Sequence, residues 1–220
     1  TKEIRNNGEL VVVDTEKYGP LEFEAVLHAT GRRANTEGLG LENTDIELRP
    51  NGTIVVDEFC QTAVENVFAV GDVNGGLQFT YVSLDDFRVV NGYLHGNKEY
   101  TTADRKNVPY STFISPALSH VGLHKEEAEA AYPNVAVASL PVANMPRGAV
   151  NQDPRGLFRV TVDKDTNLIL GATLFGKNSE EIINLIKMAI DNKIPYTYIR
   201  DQIFTHPTMA ENLNDVFKLI

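Results

Sequence analysis

The 220-residue sequence carries 20 basic and 30 acidic residues, and its net charge of −10 argues against a broad nucleic-acid or anionic-membrane surface. Hydrophobic residues make up 42% and charged residues 23%, as is typical of one large or two small globular domains. No apolar run approaches the ~20 residues of a membrane span. The single cysteine, Cys60, excludes a disulfide within the chain and favours a reducing, cytoplasmic location. Because the start TKEIRNN lacks both a Met and an apolar leader, we interpret the chain as a fragment.

Apolar runs separated by turns predict short strands in the first part of the chain. Residues 9–13 (ELVVV) predict a strand, followed by a turn at residues 18–20 (YGP). Two further runs, residues 25–29 (AVLHA) and residues 67–70 (VFAV), each lead into a glycine-containing loop. We predict both as buried strands that carry loops to a site at their carboxyl ends, with His28 packed in the core.

A helix is predicted at residues 81–94, and Gly96-Asn97 ends it. Its predicted apolar stripe consists of Val82, Phe87, Val90 and Leu94. Asp85 and Asp86 lie in its N-terminal half, where the helix dipole favours anions.

The polar stretch of residues 97–108 predicts a linker between two domains, residues 1–100 and residues 108–220. The elements predicted after the linker are a strand at 110–114, a helix at 124–131, an edge strand at 135–142, a hairpin of 158–162 with 168–174, a helix capped by Ser179, a short helix around 196–203 and a last helix through Phe217. The predicted buried face of the capped helix consists of Ile182, Leu185, Ile186, Ala189 and Ile190. This second domain is predicted to be α+β.

A histidine and a glutamate near the C-terminal end form a candidate acid–base pair. Residues 204–211 read FTHPTMAE, and the proline after His206 restricts the histidine to extended geometry, off any helix. Pro207 is suited to opening the next helix, which would bring Glu211 back onto the imidazole and fix its tautomer. Such a pair suits general acid–base catalysis. The alternative is that His206 only caps or packs at a loop–helix junction.

Two glycine-containing loops are candidates for binding a ligand. The first is Thr30-Gly31-Arg32-Arg33 and the second is Gly71-Asp72. Glycine at a strand end lets a ligand approach closely, and the carboxylate of Asp72 could accept hydrogen bonds from sugar-like hydroxyls. The alternative is a pair of ordinary β-turns.

Other polar residues favour structural readings. His120 and His124 could share a metal only on one helix face, and residues 121–123 between them predict a strand-to-helix turn, so we predict no metal site. Arg147 and Arg155 flank a loop rich in Gly and Pro and are predicted to be solvated. The sequence contains no GxGxxG, GxxxxGK[ST], HExxH or GxSxG motif.

Three segments together resemble the pyridine nucleotide–disulfide oxidoreductases, the flavoprotein family of glutathione reductase, lipoamide dehydrogenase and mercuric reductase. They are residues 29–36 (ATGRRANT), 67–72 (VFAVGD) and 206–211 (HPTMAE). Their order and spacing are similar to the second FAD-contacting segment and the C-terminal dimerisation domain of that family. Residues 79–90 and 200–217 resemble its reactive-chlorine-resistance branch, which contains flavin-dependent reductases of oxidants or metal ions.

The resemblance implies a fold and a set of site residues. The fold is α/β plus α+β, namely a C-terminal remnant of a nucleotide-binding FAD/NAD domain followed by an α+β dimerisation domain. The implied cofactor-binding residues are Thr30, Gly31, Gly71, Asp72, Phe79 and Thr80. Asp72 would hydrogen-bond the ribityl or pyrophosphate region of FAD. His206 would reach across a two-fold interface to the redox cysteine pair of a second copy, with Glu211 orienting it, to stabilise a thiolate and move protons.

Some residues depart from the family pattern. Ala34 stands where the first motif usually has proline and Ala210 where the last often has serine, and neither is expected to donate chemistry. The chain ends FKLI without cysteine, which argues against mercuric reductase and high-molecular-weight thioredoxin reductase. His206, where mercuric reductases commonly have tyrosine, points the same way.

The resemblance also implies the cofactors and partners. A full-length enzyme would use FAD and NAD(P)H, act as a homodimer and reduce a small oxidant, a disulfide or a metal ion, with no nucleic-acid or membrane partner. The 220 residues alone are expected to lack both cofactors and reductase activity. The alternative function is a non-catalytic dimerisation module.

Overall fold

A computed structural model describes all 220 residues and divides them into two compact units, Thr1–Thr102 and Ala103–Ile220. Each unit contains one antiparallel sheet together with helices, so the predicted mixture of α and β elements is confirmed. None of the helices combines the length and the apolar character that crossing a membrane requires.

The first unit opens with a three-stranded sheet. Its strands are β1 (Glu3–Asn7), β2 (Leu10–Thr15) and β3 (Gly19–Phe23), paired antiparallel in that order. Only β2 was predicted from its β-branched run. The predicted turn after β2 is present but lies at residues 16–18 rather than 18–20, because Gly19 and Pro20 already pair with β2 as the start of β3. The sheet buries little, since Val12 is its only fully buried residue.

The two buried strands predicted later in this unit are wrong. Residues 25–29 are exposed and outside any strand, and His28 lies at the surface rather than in a core. In residues 67–70 the only pairing is an isolated bridge between Phe68 and Gln61. A buried parallel strand needs neighbouring strands for its N–H and C=O groups. Residues 25–29 have no strand beside them, and residues 67–70 have only the short segment around Gln61.

The predicted helix of the first unit is confirmed as α1 (Thr80–Leu94); of its predicted apolar stripe Val82 is buried, whereas Phe87 and Leu94 are exposed. Its buried positions are Val82, Asp86 and Val89, which follow the i, i+4, i+7 spacing of one helix face. Phe87, predicted in the stripe, is 57% exposed. The buried face therefore includes a carboxylate.

The second unit is built on a five-stranded antiparallel sheet of order β4-β5-β8-β7-β6. Its strands are β4 (Tyr110–Thr112), β5 (Leu118–Gly122), β6 (Val135–Pro141), β7 (Leu157–Asp163) and β8 (Leu168–Phe175). The predicted β7–β8 hairpin and the edge position of β6 are both confirmed. Pro141 ends the edge strand, where the missing N–H is tolerated.

The second unit contains five α-helices. They are α2 (Lys125–Ala131), α3 (Pro146–Val150), α4 (Ser179–Asp191), α5 (Tyr196–Asp201) and α6 (Asn212–Phe217). Of these, α4, α5 and α6 pack against the core face of this sheet. The predicted N-cap of α4 is wrong, because Asn178 occupies that position with a φ of 64°. Ser179 is instead the first helical residue, and its buried hydroxyl donates to the carbonyl of Ala117 at 2.8 Å.

The core of the second unit lies between the sheet and α4, α5 and α6. Phe158, Leu174, Ile186 and Phe217 are among its fully buried side chains. Ile183 also belongs to this core, whereas the predicted Leu185 is 42% exposed. A continuous core of this kind holds the loop before α6 in a defined place.

Candidate functional site

The His206 loop lies between α5 and α6. A cis peptide bond joins His206 to Pro207, and α6 begins only at Asn212. The prediction that Pro207 opens the helix is therefore wrong. The chain first forms a turn, closed by a hydrogen bond from the N–H of Glu211 to the hydroxyl of Thr208 at 3.2 Å, and Glu211 occupies the N-cap position of α6.

This turn brings the His206 and Glu211 side chains together. The Nδ1 atom of His206 lies 2.8 Å from Oε2 of Glu211, while Oε1 of the same carboxylate accepts the N–H of Thr208 at 3.0 Å. Because a carboxylate only accepts hydrogen bonds, Nδ1 of His206 is the donor of this bond. The His206 side chain is 73% exposed and that of Glu211 only 17%. Glu211 thus fixes the imidazole ring of His206, which remains accessible to a ligand or a second protein chain.

In the first unit, Arg32 links the predicted cofactor-binding loops. Its Nη1 atom lies 3.5 Å from Oδ2 of Asp72 and donates to the carbonyl of Gln78, also at 3.5 Å. Thr30 lies in the same loop as Arg32, and its hydroxyl is 2.7 Å from Nε2 of His28. The loop at residues 30–33 thus meets the Asp72 turn and the segment that leads into α1. The sequence predicted these loops but did not assign Arg32 this role.

A second residue that the sequence analysis missed is Asp86. Its Oδ2 atom accepts the N–H of Gly71 at 2.7 Å, at the start of the 3-10 turn Gly71–Asn74. The available signal was its spacing, since a carboxylate four residues after Val82 and three before Val89 lies on the buried helix face.

The two histidines considered for a metal form a stacked pair instead. His120 lies on β5 and His124 precedes α2, and their ring centroids are 3.7 Å apart. Both nitrogens of His120 are engaged, Nδ1 with the hydroxyl of Thr173 at 2.8 Å and Nε2 with the carbonyl of Gly122 at 3.0 Å. Burial of the ring lowers the pKa of His120. The structure contains no group of three or more residues that could hold a metal ion.

Arg155 is fixed rather than freely solvated. Its Nε atom lies 2.7 Å from Asp153, and a second guanidinium nitrogen donates to the same carboxylate at 2.8 Å. This hydrogen bonding lowers the pKa of Asp153 to about 2. A cleft of about 740 Å³ is lined by both residues together with Lys177 and Glu180, and His206 does not line it. The size of this cleft does not indicate which ligand or reaction it would suit, whereas the His206–Glu211 pair has a geometry suited to proton transfer.

Comparison with known proteins identifies the family. Residues 108–217 match the pyridine nucleotide-disulphide oxidoreductase dimerisation domain, and residues 1–86 match the pyridine nucleotide-disulphide oxidoreductase domain. The chain therefore belongs to the pyridine nucleotide-disulphide oxidoreductases, and the resemblance inferred from the sequence is confirmed. The probable pyridine nucleotide-disulfide oxidoreductase RclA of Escherichia coli is 46% identical over 219 residues, which cover 100% of this chain and 49% of the relative. Dihydrolipoyl dehydrogenase of Corynebacterium glutamicum is 30% identical over 222 residues, covering 98% and 47%.

A solved structure gives the same result for the fold. The HOCl-induced flavoprotein disulfide reductase RclA from Escherichia coli superimposes with a TM-score of 0.93 at 46% identity, covering 99% of this chain and 50% of that one. The chain thus spans about half the length of the relatives that it matches. Members of the family are flavoproteins that use FAD and NAD(P)H, and the dimerisation domain indicates homodimers within the family.

The residues present in the first unit fit a flavin dinucleotide. Gly31 has a φ of 110°, and no atom lies within 4 Å of the place where a side chain would begin, so a ligand could approach the backbone. The Asp72 side chain is 51% exposed and offers acceptors for hydroxyls. No side chain caps the start of α1 at Phe79 and Thr80, so its first turn keeps the character of a helix N-terminus.

Proposed function

We propose that the chain is the flavin-contacting and dimerising part of an FAD- and NAD(P)H-dependent disulfide oxidoreductase, and that His206 and Glu211 act as its proton-transfer pair. The observation that carries this proposal is the bond from Nδ1 of His206 to a largely buried Glu211, which leaves Nε2 unbonded on a side chain that is 73% exposed. A substrate-side base needs this combination of an oriented ring and an accessible nitrogen.

The pair would act on the redox cysteines of a second copy in a homodimer. Nε2 of His206 would accept a proton from a thiol and, once protonated, stabilise the resulting thiolate. Glu211 would hold the ring and stabilise its positive charge. The substrate class proposed is a small oxidant, a disulfide or a metal ion, and the proposed setting is the reducing cytoplasm, where thiols stay reduced.

The first unit would contribute the contacts to FAD. Asp72 would accept hydrogen bonds from the ribityl or pyrophosphate region, Thr30 and Gly31 would line the bound dinucleotide, and Phe79-Thr80 would lie near the flavin ring. FAD, when bound, supplies the electron transfer between NAD(P)H and the cysteine pair. Because the 220 residues hold one cysteine and no GxGxxG motif, we infer that they have no NAD(P)H-dependent turnover alone.

The test replaces the histidine in the protein as expressed, including any segments outside these 220 residues. His206→Ala should lower the turnover number roughly 100-fold or more, the range typical of a lost general acid–base, and should change the pH–rate profile. Glu211→Gln should give a smaller loss. Steady-state NAD(P)H oxidation across a pH series measures both.

The matched control is His95→Ala, since His95 is exposed and the one hydrogen bond of its side chain joins Nδ1 to the carbonyl of Asn91. This variant should retain full turnover. Unchanged turnover and an unchanged pH profile in His206→Ala would support the second candidate, a non-catalytic dimerisation module. That candidate is favoured by the bond from Glu211 to the N–H of Thr208, which a purely structural junction would also use.

A further inference from the structure

Asp86 is a buried carboxylate that none of the assigned roles explains. It is 1% exposed and lies on the inner face of α1. One oxygen, Oδ2, accepts both the N–H of Gly71 at 2.7 Å and the side-chain amide of Asn74 at 2.9 Å. Burying a carboxylate is costly unless donors replace its water. Here the donors come from the two ends of the turn Gly71–Asn74.

The backbone of the Gly71–Asn74 turn is closely packed, which restricts its conformation. Gly71 has a φ of 74°, and a Cβ added there would lie 2.9 Å from the hydroxyl of Ser83 on α1. A Cβ at Gly75, just after the turn, would lie 2.7 Å from the hydroxyl of Thr53. The backbone therefore passes closely between α1 and the Thr53 segment, where only glycine fits.

A cation also holds the turn. The Nη1 atom of Arg49 donates to the carbonyl of Asn74 at 2.8 Å and to the carbonyl of Ile54 at 2.9 Å. The same turn is thus bonded by a buried carboxylate and by a guanidinium. Charge-assisted hydrogen bonds of this kind are the stronger ones, so the backbone position of Asp72 between them is defined.

We propose that Asp86 is a positioning residue for the flavin site: by bonding both ends of the Gly71–Asn74 turn it aims the Asp72 carboxylate at the bound dinucleotide. This inference rests on the proposed FAD contact of Asp72. Asp86 itself touches no cofactor, because its carboxylate is turned into the protein and its Oδ2 is occupied by the turn. Without it, the N–H of Gly71 would lose its buried acceptor, and the Asn74 amide would keep only its longer bond to the carbonyl of Ala69 at 3.3 Å, so the turn would be held less firmly.

The experiment compares Asp86→Ala with Val89→Ala in the protein as expressed. Val89 is also 1% exposed and lies on the same helix face, three residues after Asp86. Its side chain has no polar group and therefore forms no hydrogen bond with the Gly71–Asn74 turn. Both variants should lower the melting temperature. FAD is removed and the dissociation constant of re-bound FAD is measured by flavin fluorescence, together with the absorption spectrum of the bound flavin.

Asp86→Ala should weaken FAD binding roughly 10- to 100-fold, the range expected when buried donors are left without an acceptor. Val89→Ala should leave the dissociation constant of the folded protein unchanged. Asp86→Asn, which keeps one oxygen of the same reach, should recover most of the affinity. The Gly71 amide should exchange faster with solvent in Asp86→Ala even without FAD.

The outcomes separate the two proposals. If the parent protein binds FAD and the two alanine variants weaken it equally or not at all, Asp86 is merely structural and this inference is overturned. If the parent protein binds no FAD, the proposed function fails and the inference fails with it. Slow Gly71 exchange retained in Asp86→Ala would also overturn it.

Discussion

The two units of the chain differ sharply in how they bury apolar side chains. The second unit contributes 23 of the 29 buried hydrophobic residues, including the whole core cluster between its sheet and helices, whereas the first contributes six. Exposed large apolar side chains occur in both units, for example Leu27 at 89% in the first and Ile203 at 99% in the second, so the contrast lies in what is buried. Extended apolar segments alone do not make a core, because a strand must also find neighbours within reach.

The difference follows the way in which each sheet is covered. The five-stranded sheet of the second unit packs against α4, α5 and α6, whereas the three-stranded sheet of the first buries only Val12. The apolar residues 25–29 of the first unit have no strand beside them. Exposed apolar surface of this kind is suited to packing against further protein, and the relatives that the chain matches are about twice as long.

The largest expected effect tests the core of the second unit. Phe158→Ala removes a fully buried ring of β7 from the core and should lower the free energy of unfolding by about 3–5 kcal/mol, because the cavity adds to the lost transfer energy. Urea denaturation followed by circular dichroism, with amide exchange in β7, measures the loss. A change below about 1 kcal/mol would mean that the core rearranges freely, and would weaken the contrast between the units.

A smaller effect is expected for the pH dependence of stability, which tests the buried His120 of the same unit. The pKa of His120 is lowered from 6.5 by burial, so the folded protein favours the neutral ring while the unfolded chain takes up a proton below pH 6.5. Stability should hold above pH 6.5 and fall as the pH drops below it. The groups facing the ring are Thr173, Gly122, His124, Glu127 and Tyr110.

The control for this pH effect is His120→Gln, which removes the titrating ring from the same position. Its unfolding free energy, measured by urea denaturation from pH 5 to pH 8, should depend less on pH than that of the parent chain. An equally steep pH dependence in His120→Gln would assign the effect to other groups.

The smallest expected effect tests the open surface of the first unit. Leu27→Ser should change the free energy of unfolding of the 220-residue chain by no more than about 0.5 kcal/mol, since Leu27 is 89% exposed. Thermal and urea denaturation measure the change. A loss above about 1 kcal/mol would show that Leu27 is covered in solution, for example by a second copy, and would break the contrast.

Local patterns predicted much of the second unit. The β7–β8 hairpin and α4 follow from alternation and from helical spacing, and both are set by residues near one another in sequence. The cap of α4 was misassigned, because Ser179 finds its partner, the carbonyl of Ala117, far away along the chain. Such a tertiary contact leaves no local signal.

The same limit applied to the candidate sites. The five-residue separation of His206 and Glu211 is short enough to predict their contact, and the structure brings the two side chains together. The links made by Arg32 to Asp72, and by Asp86 to Gly71, join residues far apart in sequence. In the first unit the hydrophobic pattern also predicted buried strands where residues 25–29 lie exposed, because pattern reports what a segment could bury and not whether a neighbour is present.

The two carboxylate oxygens of Glu211 together determine how precisely the His206 ring is positioned. One holds the imidazole of His206 and the other is bonded to the main chain at Thr208, at the start of the turn that leads into α6. The orientation of the exposed His206 ring is therefore fixed relative to the backbone and not relative to another mobile side chain. A side chain that is mostly exposed to solvent can in this way be held as precisely as the backbone at the start of α6.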